Sequence, residues 1–219
     1  AGVTNVKSPI SLAKLLLEKG WPLMMVGSGA EKFAEGEGIE LTTQKKLKTD
    51  LRKAQWEKWK ATKGSPGSTD EDDEAMSAVL ELDFETGTVG AVALDSDGNL
   101  AAATSTGGMT GKPPGRIGDT AIIGAGTWAD QNVAISCTGV GEAYIRTSAA
   151  KRLADLVELT ESNLEDAAET VLSEVSPIGG RGGLIAVDSD GNISMPFKTT
   201  MMYRGSWIDG EISTAIGPN

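Results

Sequence analysis

Two stretches of this chain repeat one another: Val92-Ala93-Leu94-Asp95-Ser96-Asp97-Gly98-Asn99-Leu100 and Ile185-Ala186-Val187-Asp188-Ser189-Asp190-Gly191-Asn192-Ile193. Each is an apolar run, a turn containing Asp-Gly, and the start of a second apolar run. That pattern reads as a β-hairpin. Two helical stretches lie between the hairpins. One covers about residues 141–159, with Ile145, Ala149, Leu153 and Leu156 on one face. The other covers about 162–175 and opens on Ser162 with Glu165 three residues later, a capping-box pattern. Hairpin, helices, hairpin predicts antiparallel sheets with helices packed outside. Stacked layers of this kind make an αββα sandwich, an α+β fold.

The first part of the chain is more helical. Ser8, Pro9 and Gly20 mark the start and stop of a helix over 8–20, with Ile10, Ala13, Leu16 and Leu17 on one face. Leu23–Val26 reads as a short buried strand, followed by Gly27-Ser28-Gly29 and a helix near 30–35. This glycine passage reads as a tight turn; as an anion cradle it lacks the Gly-Lys-Ser/Thr of a phosphate loop. Residues 42–60 are basic with a helical pattern, and Trp56 and Trp59 are expected to pack inward. Residues 61–87 have linker composition and include the self-repelling run Asp70-Glu71-Asp72-Asp73-Glu74. The organisation expected is one domain over 1–219, divided into 1–60, a linker at 61–87, and 88–219.

Charge and cysteine use narrow the function. The net charge of −11 disfavours nucleic acid as a partner, because phosphate binding needs a basic footprint. No apolar run approaches 18 residues, so no membrane span is expected. The single Cys137 cannot form an intramolecular disulfide, which fits a reducing, cytoplasmic setting. The 219 residues contain no histidine, so nucleophilic chemistry cannot use a Ser-His-Asp or Cys-His device.

A threonine can be activated without histidine if it becomes N-terminal, because its own α-amino group then serves as base. Thr88 follows Gly87 at the head of the first hairpin, immediately after the linker. Counting back through the hairpin places Thr106, in Thr104-Ser105-Thr106-Gly107-Gly108, near Thr88. Both threonines could equally be ordinary β-branched strand residues. Gly115-Arg116-Ile117-Gly118-Asp119 offers a cation and an anion three residues apart, able to grip the carboxylate and ammonium of an amino acid, or to form a surface ion pair. Ser136-Cys137-Thr138-Gly139-Val140-Gly141-Glu142 follows an apolar run and precedes a helix. Its backbone N–H groups and the Thr138 hydroxyl could stabilise an oxyanion, or it could be a glycine turn.

Taken in order, these segments resemble the plant-type L-asparaginases, or isoaspartyl peptidases, of the N-terminal nucleophile hydrolases. The resemblance also covers Ser8–Ala13, Val26–Ala34 and Met202-Tyr203-Arg204-Gly205. It implies an αββα sandwich made as a precursor that cuts itself between Gly87 and Thr88. Residues 1–60 would then belong to the α subunit and 88–219 would form the β subunit. Thr88 resembles the nucleophile and Thr106 its supporting threonine. Arg116 and Asp119, within the binding loop that includes Ile117 and Gly118, resemble the residues that hold the substrate α-carboxylate and α-amino groups. Thr138 and Gly139 resemble the oxyanion hole; Val140 and Gly141 line the same passage, with Gly141 meeting the substrate amine. The implied reactions are hydrolysis of L-asparagine and of β-aspartyl dipeptides, without cofactor, in a homodimer of αβ units.

The resemblance also implies an N-terminal portion ahead of Ala1, so the fold is expected to be N-terminally incomplete here. That portion holds a glycine-rich first strand, an Asn-Ala-Gly segment and a sodium-binding loop, and this chain itself is expected to carry no metal site. Two other readings stay open: a glycosylasparaginase, against which Gly108 argues mildly, and an inactive truncated or pseudoenzyme module.

Overall fold

The computed structural model describes residues 1–63, 87–160 and 162–217. Most of the predicted linker, residues 64–86, lies outside the described residues, as does Glu161. The described chain forms two compact units: residues 1–63 with 108–117, and residues 87–107 with 118–217. Helices and antiparallel strands together make it an α+β protein.

The first unit is helical. Helix α1 (Pro9–Lys19) starts on Pro9 and stops at Gly20, which is left-handed at φ 69° and returns its N–H to Leu16 O and Leu17 O. Its buried residues are Leu12 and Leu16, whereas Leu17 and Ile10 are exposed, so the inward face is rotated from the predicted one. Helix α2 (Gly27–Gly36) buries Ala30 and Ala34 against Val6 and Leu12. Leu23–Val26 does not form a strand: Met25 O accepts from the Ala1 ammonium at 2.8 Å instead of from a neighbouring strand, and Leu23, Met24 and Val26 are exposed. The basic stretch breaks into α3 (Gln44–Leu47) and α4 (Asp50–Lys63). Trp59 lies against Gly111, but Trp56 is exposed with the Lys60 ammonium 4.7 Å from its ring, contrary to the inward packing expected of it.

The second unit is layered. Strands β1 (Thr88–Leu94) and β2 (Leu100–Thr106) form the first predicted hairpin. Strands β3 (Thr127–Ala129), β4 (Val133–Gly139), β5 (Gly182–Asp188) and β6 (Ile193–Ser194) form a four-stranded antiparallel sheet in that order. Helices α5 (Gly141–Thr147), α6 (Ala149–Leu159) and α7 (Leu164–Val175) follow β4. A further hairpin joins β7 (Arg204–Ile208) to β8 (Glu211–Ala215) and leaves Trp207 and Ile212 exposed.

Side-chain alternation along β4 explains the layers. Val133, Ile135 and Cys137 face the helices and share one core with Leu153, Leu172, Leu184 and Ala186. The buried residues of α7 fall at 164, 167, 168, 171, 172 and 175, an inward stripe of helical spacing. Ser136 points the other way, to the β1–β2 hairpin, where a Cβ on Gly90 would lie 2.1 Å from its Oγ and 3.7 Å from Ile185 Cδ1. The order within this unit is therefore hairpin, sheet, helices.

The helical stretch predicted over 141–159 is two helices. Ser148 breaks it with left-handed angles, φ 49° and ψ 49°. The second stretch is capped by Asn163 rather than Ser162: Asn163 Oδ1 accepts from Asp166 N at 2.9 Å. An Asn cap of this kind contributes about 1 kcal/mol.

Candidate active site

The Asp95 turn sets the position of the first threonine pair. Asp95 Oδ1 accepts from Asp97 N at 2.9 Å and Asn99 N at 2.8 Å, which closes the hairpin. Pairing then runs without a bulge from Leu94↔Leu100 to Thr88↔Thr106, as the sequence count predicts. Thr106 Oγ1 donates to Gly87 O at 3.3 Å, so its hydroxyl sits on the carbonyl of the Gly87–Thr88 peptide bond. Gly87 and Thr88 are half-buried and Thr106 is exposed.

The β1–β2 hairpin has a definite direction over the sheet. Leu94 lies near Gly191, just past the Asp188 end of β5, and Gly90 lies on Ser136. Asp188 pairs with Val133 and Gly183 with Thr138. Moving from Gly90 to Thr88 therefore moves along β4 from Ser136 toward Thr138. The threonine rung of the hairpin and the Thr138–Gly139 end of β4 therefore lie at the same end of these two layers.

That end of β4 is tightly built. Gly139 has φ +148°, and a Cβ there would be 2.1 Å from Arg181 O. Opposite it, Gly182 has φ +151°, with Thr138 O 2.0 Å from its would-be Cβ. Only glycine allows the two backbones to approach so closely. The Tyr144 ring forms the floor: it is fully buried, 2.8 Å from the would-be Cβ of Gly139, and its hydroxyl meets Gly183 O at 3.5 Å. Val140 N donates to Arg181 O at 2.9 Å, and the buried Gly141 then opens α5.

The Arg116–Asp119 passage falls partly in each unit. Arg116 and Ile117 belong to the first, where Arg116 N donates to Pro113 O at 3.1 Å. Burial, and then the Arg116 charge, hold the nearby Lys112 ammonium below its ordinary pKa. Gly118 and Asp119 belong to the second unit. Asp119 is only 5% exposed, and Gly126 stays glycine because a Cβ there would be 2.7 Å from Asp119 Oδ2. Burial first, and then the Asp119 charge, push the Cys137 thiol well above its usual pKa. Burial, Cys137 and Asp119 do the same for the Tyr144 phenol. The Asp119 carboxylate is thus an interior charge near β4 and α5, where a cation would feel it strongly.

Sequence reasoning passed over several residues here. Thr104, Thr127 and Ser136 join their hydroxyls between the hairpin and the sheet: Thr127 donates to Thr104 at 2.5 Å, and Thr104 and Ser136 are 2.7 Å apart. Gly90, Gly182 and Tyr144 were missed as well. A partial signal existed, since Thr104 lies on the same strand face as Thr106.

The β1–β2 hairpin with paired threonines at its open end, stacked on a helix-backed antiparallel sheet, defines an α+β protein with a histidine-free candidate nucleophile. The chain matches the asparaginase family over residues 1–216 and belongs to it. It is 45% identical to the isoaspartyl peptidase of Escherichia coli (strain K12), over 98% of this chain and 65% of that protein. It is 38% identical to the isoaspartyl peptidase/L-asparaginase of Xenopus laevis and 37% identical to that of Mus musculus, in each case over 99% of this chain, and over 66% and 63% of those proteins. The chain therefore spans a little under two thirds of the length of these relatives. Among the described residues, no helix is long and apolar enough to cross a membrane.

Proposed function

We propose that this protein is a threonine-dependent amidohydrolase that cleaves L-asparagine to aspartate and ammonia and hydrolyses β-aspartyl dipeptides. The observation that carries this reading is the Thr88↔Thr106 rung, with the Thr106 hydroxyl on Gly87 O. The names of the relatives agree with it.

The chain first cuts itself. Thr88 Oγ attacks the Gly87 carbonyl carbon while Thr106 donates to the carbonyl oxygen. The Gly87 C–Thr88 N bond breaks as the ester bond to Thr88 Oγ forms, the hydroxyl proton passes to the departing nitrogen, and water hydrolyses the ester. Cleavage leaves a Gly87 carboxylate and a free α-amino group on Thr88, and that amine then serves as general base in turnover.

In turnover, the Thr88 amine takes the proton of Thr88 Oγ as the oxygen attacks the substrate β-carbonyl. Arg116 pairs with the substrate α-carboxylate and Asp119 with its α-ammonium; Ile117 and Gly118 complete that loop. The Thr138 hydroxyl and the Gly139 N–H take the oxyanion, while Val140 and Gly141 shape the passage beside it. The leaving amine departs with a proton. Water then releases aspartate from the β-aspartyl ester. The whole protein on this reading is an αββα sandwich and a homodimer of αβ units in the cytoplasm, acting on small substrates rather than nucleic acid.

The test is intact mass of the purified chain, fresh and after days at neutral pH, followed by assay with asparagine, β-aspartyl-leucine and a glycosylated asparagine. Fragments 1–87 and 88–219, with release of aspartate from the first two substrates, support the proposal. Cleavage of the glycosylated substrate alone would make the protein a glycosylasparaginase. An uncut chain without hydrolase activity, beside an active longer form, would make this chain the inactive module.

A further inference from the structure

We propose that Thr104, Ser136 and Thr127 form a positioning node that fixes the nucleophile rung over the oxyanion strand. The proposal rests on the reading in which Thr88 is the nucleophile. None of the three hydroxyls needs to touch substrate; they act through the strands that carry Thr88, Thr106 and Thr138.

The geometry begins with a cross-strand pair. Thr127 on β3 and Ser136 on β4 are register partners in the sheet. Thr104 reaches them from β2 in the facing hairpin. Thr127 Oγ1 donates to Thr104 Oγ1 at 2.5 Å, Thr104 and Ser136 share a hydrogen bond of 2.7 Å, and Thr104 Oγ1 also reaches Gly126 O at 3.4 Å. Ser136 is 3% exposed, and Thr104 and Thr127 are half-buried, so the node is largely shielded from water. Thr104 pairs with Gly90 on β1, and the next rung on the same face is Thr88↔Thr106. On β4, the next residue on the Ser136 face is Thr138. The node therefore ties both strands of the hairpin to the sheet one repeat before the reacting groups.

Apolar contact between sheets is non-directional and tolerates small slides. Hydrogen bonds between hydroxyls are directional and do not. Gly90 serves the same end, because the Ser136 Oγ occupies the place of its missing Cβ. A hydroxyl attack needs its partners held to within about 0.5 Å, and a displacement of about 1 Å can cost a hundredfold in rate. Valine at position 104 keeps the shape of threonine but removes both hydroxyl bonds that cross from hairpin to sheet, leaving Thr127 Oγ1 its long bond to Thr120 O at 3.4 Å.

The experiment compares wild type with T104V, T104S and S136A as full chains. The readouts are the rate of Gly87–Thr88 cleavage by intact mass, kcat and KM on β-aspartyl-leucine, and amide hydrogen exchange at residues 104–106. The expected result for T104V is cleavage and kcat each lowered about tenfold or more, KM within about twofold, and faster exchange at 104–106. T104S keeps the hydroxyl and should return all three readouts to within about threefold of wild type. If T104V fails to fold, S136A carries the test, with a smaller loss of the same kind. Wild-type cleavage and kcat in T104V, a change in KM alone, or a T104S chain as impaired as T104V would each overturn the node. If wild type itself neither cleaves nor hydrolyses, the functional reading is what fails. Exchange then decides the node: unchanged protection at 104–106 in T104V and S136A overturns it.

Discussion

The two Asp-Ser-Asp-Gly-Asn turns are locally the same and tertiarily different. In the first, Asp95 accepts from Asp97 N, Asn99 N and Asn99 Nδ2 at 2.9, 2.8 and 2.8 Å. In the second, Asp188 accepts from Asp190 N, Asn192 N and Asn192 Nδ2 at 3.0, 2.8 and 2.9 Å. The strands that enter these turns differ. β1 pairs over its whole length with β2 and leaves Val89, Ala91 and Ala93 exposed. β5 is buried along nearly all of its length, pairs with all of β4, and gives β6 only two rungs. One repeat became the open hairpin that carries the threonine pair, and the other became the inner strand that supports it. A turn motif fixes its own hydrogen bonds; the layer that a strand enters fixes what its side chains do.

Aligning the repeats sets Thr88 opposite Arg181 and Gly90 opposite Gly183. The largest effect is expected from Thr88→Ala. Self-cleavage and β-aspartyl hydrolysis should both fall to background while the fold stays intact by circular dichroism, since the alanine removes both nucleophile uses of one oxygen. Residual hydrolysis at even a tenth of wild type would sink the proposed mechanism.

Next come the aligned glycines. A Cβ on Gly183 would meet Phe197 Cβ at 2.6 Å and Pro196 O at 2.7 Å, neither of which is a flexible end. A Cβ on Gly90 would meet chiefly the Ser136 side chain. Gly183→Ala should therefore cost about 3 kcal/mol in urea melts and Gly90→Ala about 1–2 kcal/mol, while Gly90→Ala loses the larger share of kcat per folded molecule. Equal effects on both measures would erase the distinction between reactive and supporting repeats.

The turn aspartates give a smaller contrast. Asp188 is 9% exposed and holds charge-assisted bonds in a partly buried setting, so Asp188→Asn should destabilise the protein by about 2 kcal/mol. Asp95 is fully exposed, and Asp95→Asn should lower the melting temperature less. The bonds from Asn99, and then Asp97, hold the Asp95 carboxyl below its ordinary pKa. Its contribution is thus complete above the unfolded carboxyl pKa and lost as pH falls through the lower folded one. A larger melting-temperature drop for Asp95→Asn at pH 7 would reverse the ranking.

The smallest effect concerns the interior shared by sheet and helices. Burial, and then Asp119, raise the Cys137 pKa, so the folded state keeps the neutral thiol. Its contribution is present below the unfolded thiol pKa of about 8.5 and is lost as pH rises beyond it. Cys137→Ser should flatten this alkaline loss, and native Cys137 should resist a thiol reagent at pH 8. Rapid labelling of folded protein would show that the core opens there.

Much of the site was legible because it depends on counting. The Asp-Gly turn sets the hairpin register, and the register sets Thr106 opposite Thr88. The Thr138-Gly139 passage was legible as glycines between a strand and a helix. The break at Ser148 was not, because Arg146-Thr147-Ser148-Ala149 contains neither Gly nor Pro; the left-handed Ser148 returns its N–H to Ile145 O and Tyr144 O and so closes the helix. Leu23–Val26 misled because an apolar run specifies a strand only if a sheet edge is there to pair with it. The hydroxyl node was invisible because its members come from three strands and meet only across the gap between hairpin and sheet.

The sequence by itself determined the turns, the strand pairing within each repeat and the α+β character. All of these follow from local geometry or from composition. Tertiary structure alone decided which repeat is buried, why positions 90, 139 and 182 must be glycine, and that Asp119 is an interior charge. Those depend on which atoms come within a few ångströms across layers, and close packing between distant segments is not written in any one of them.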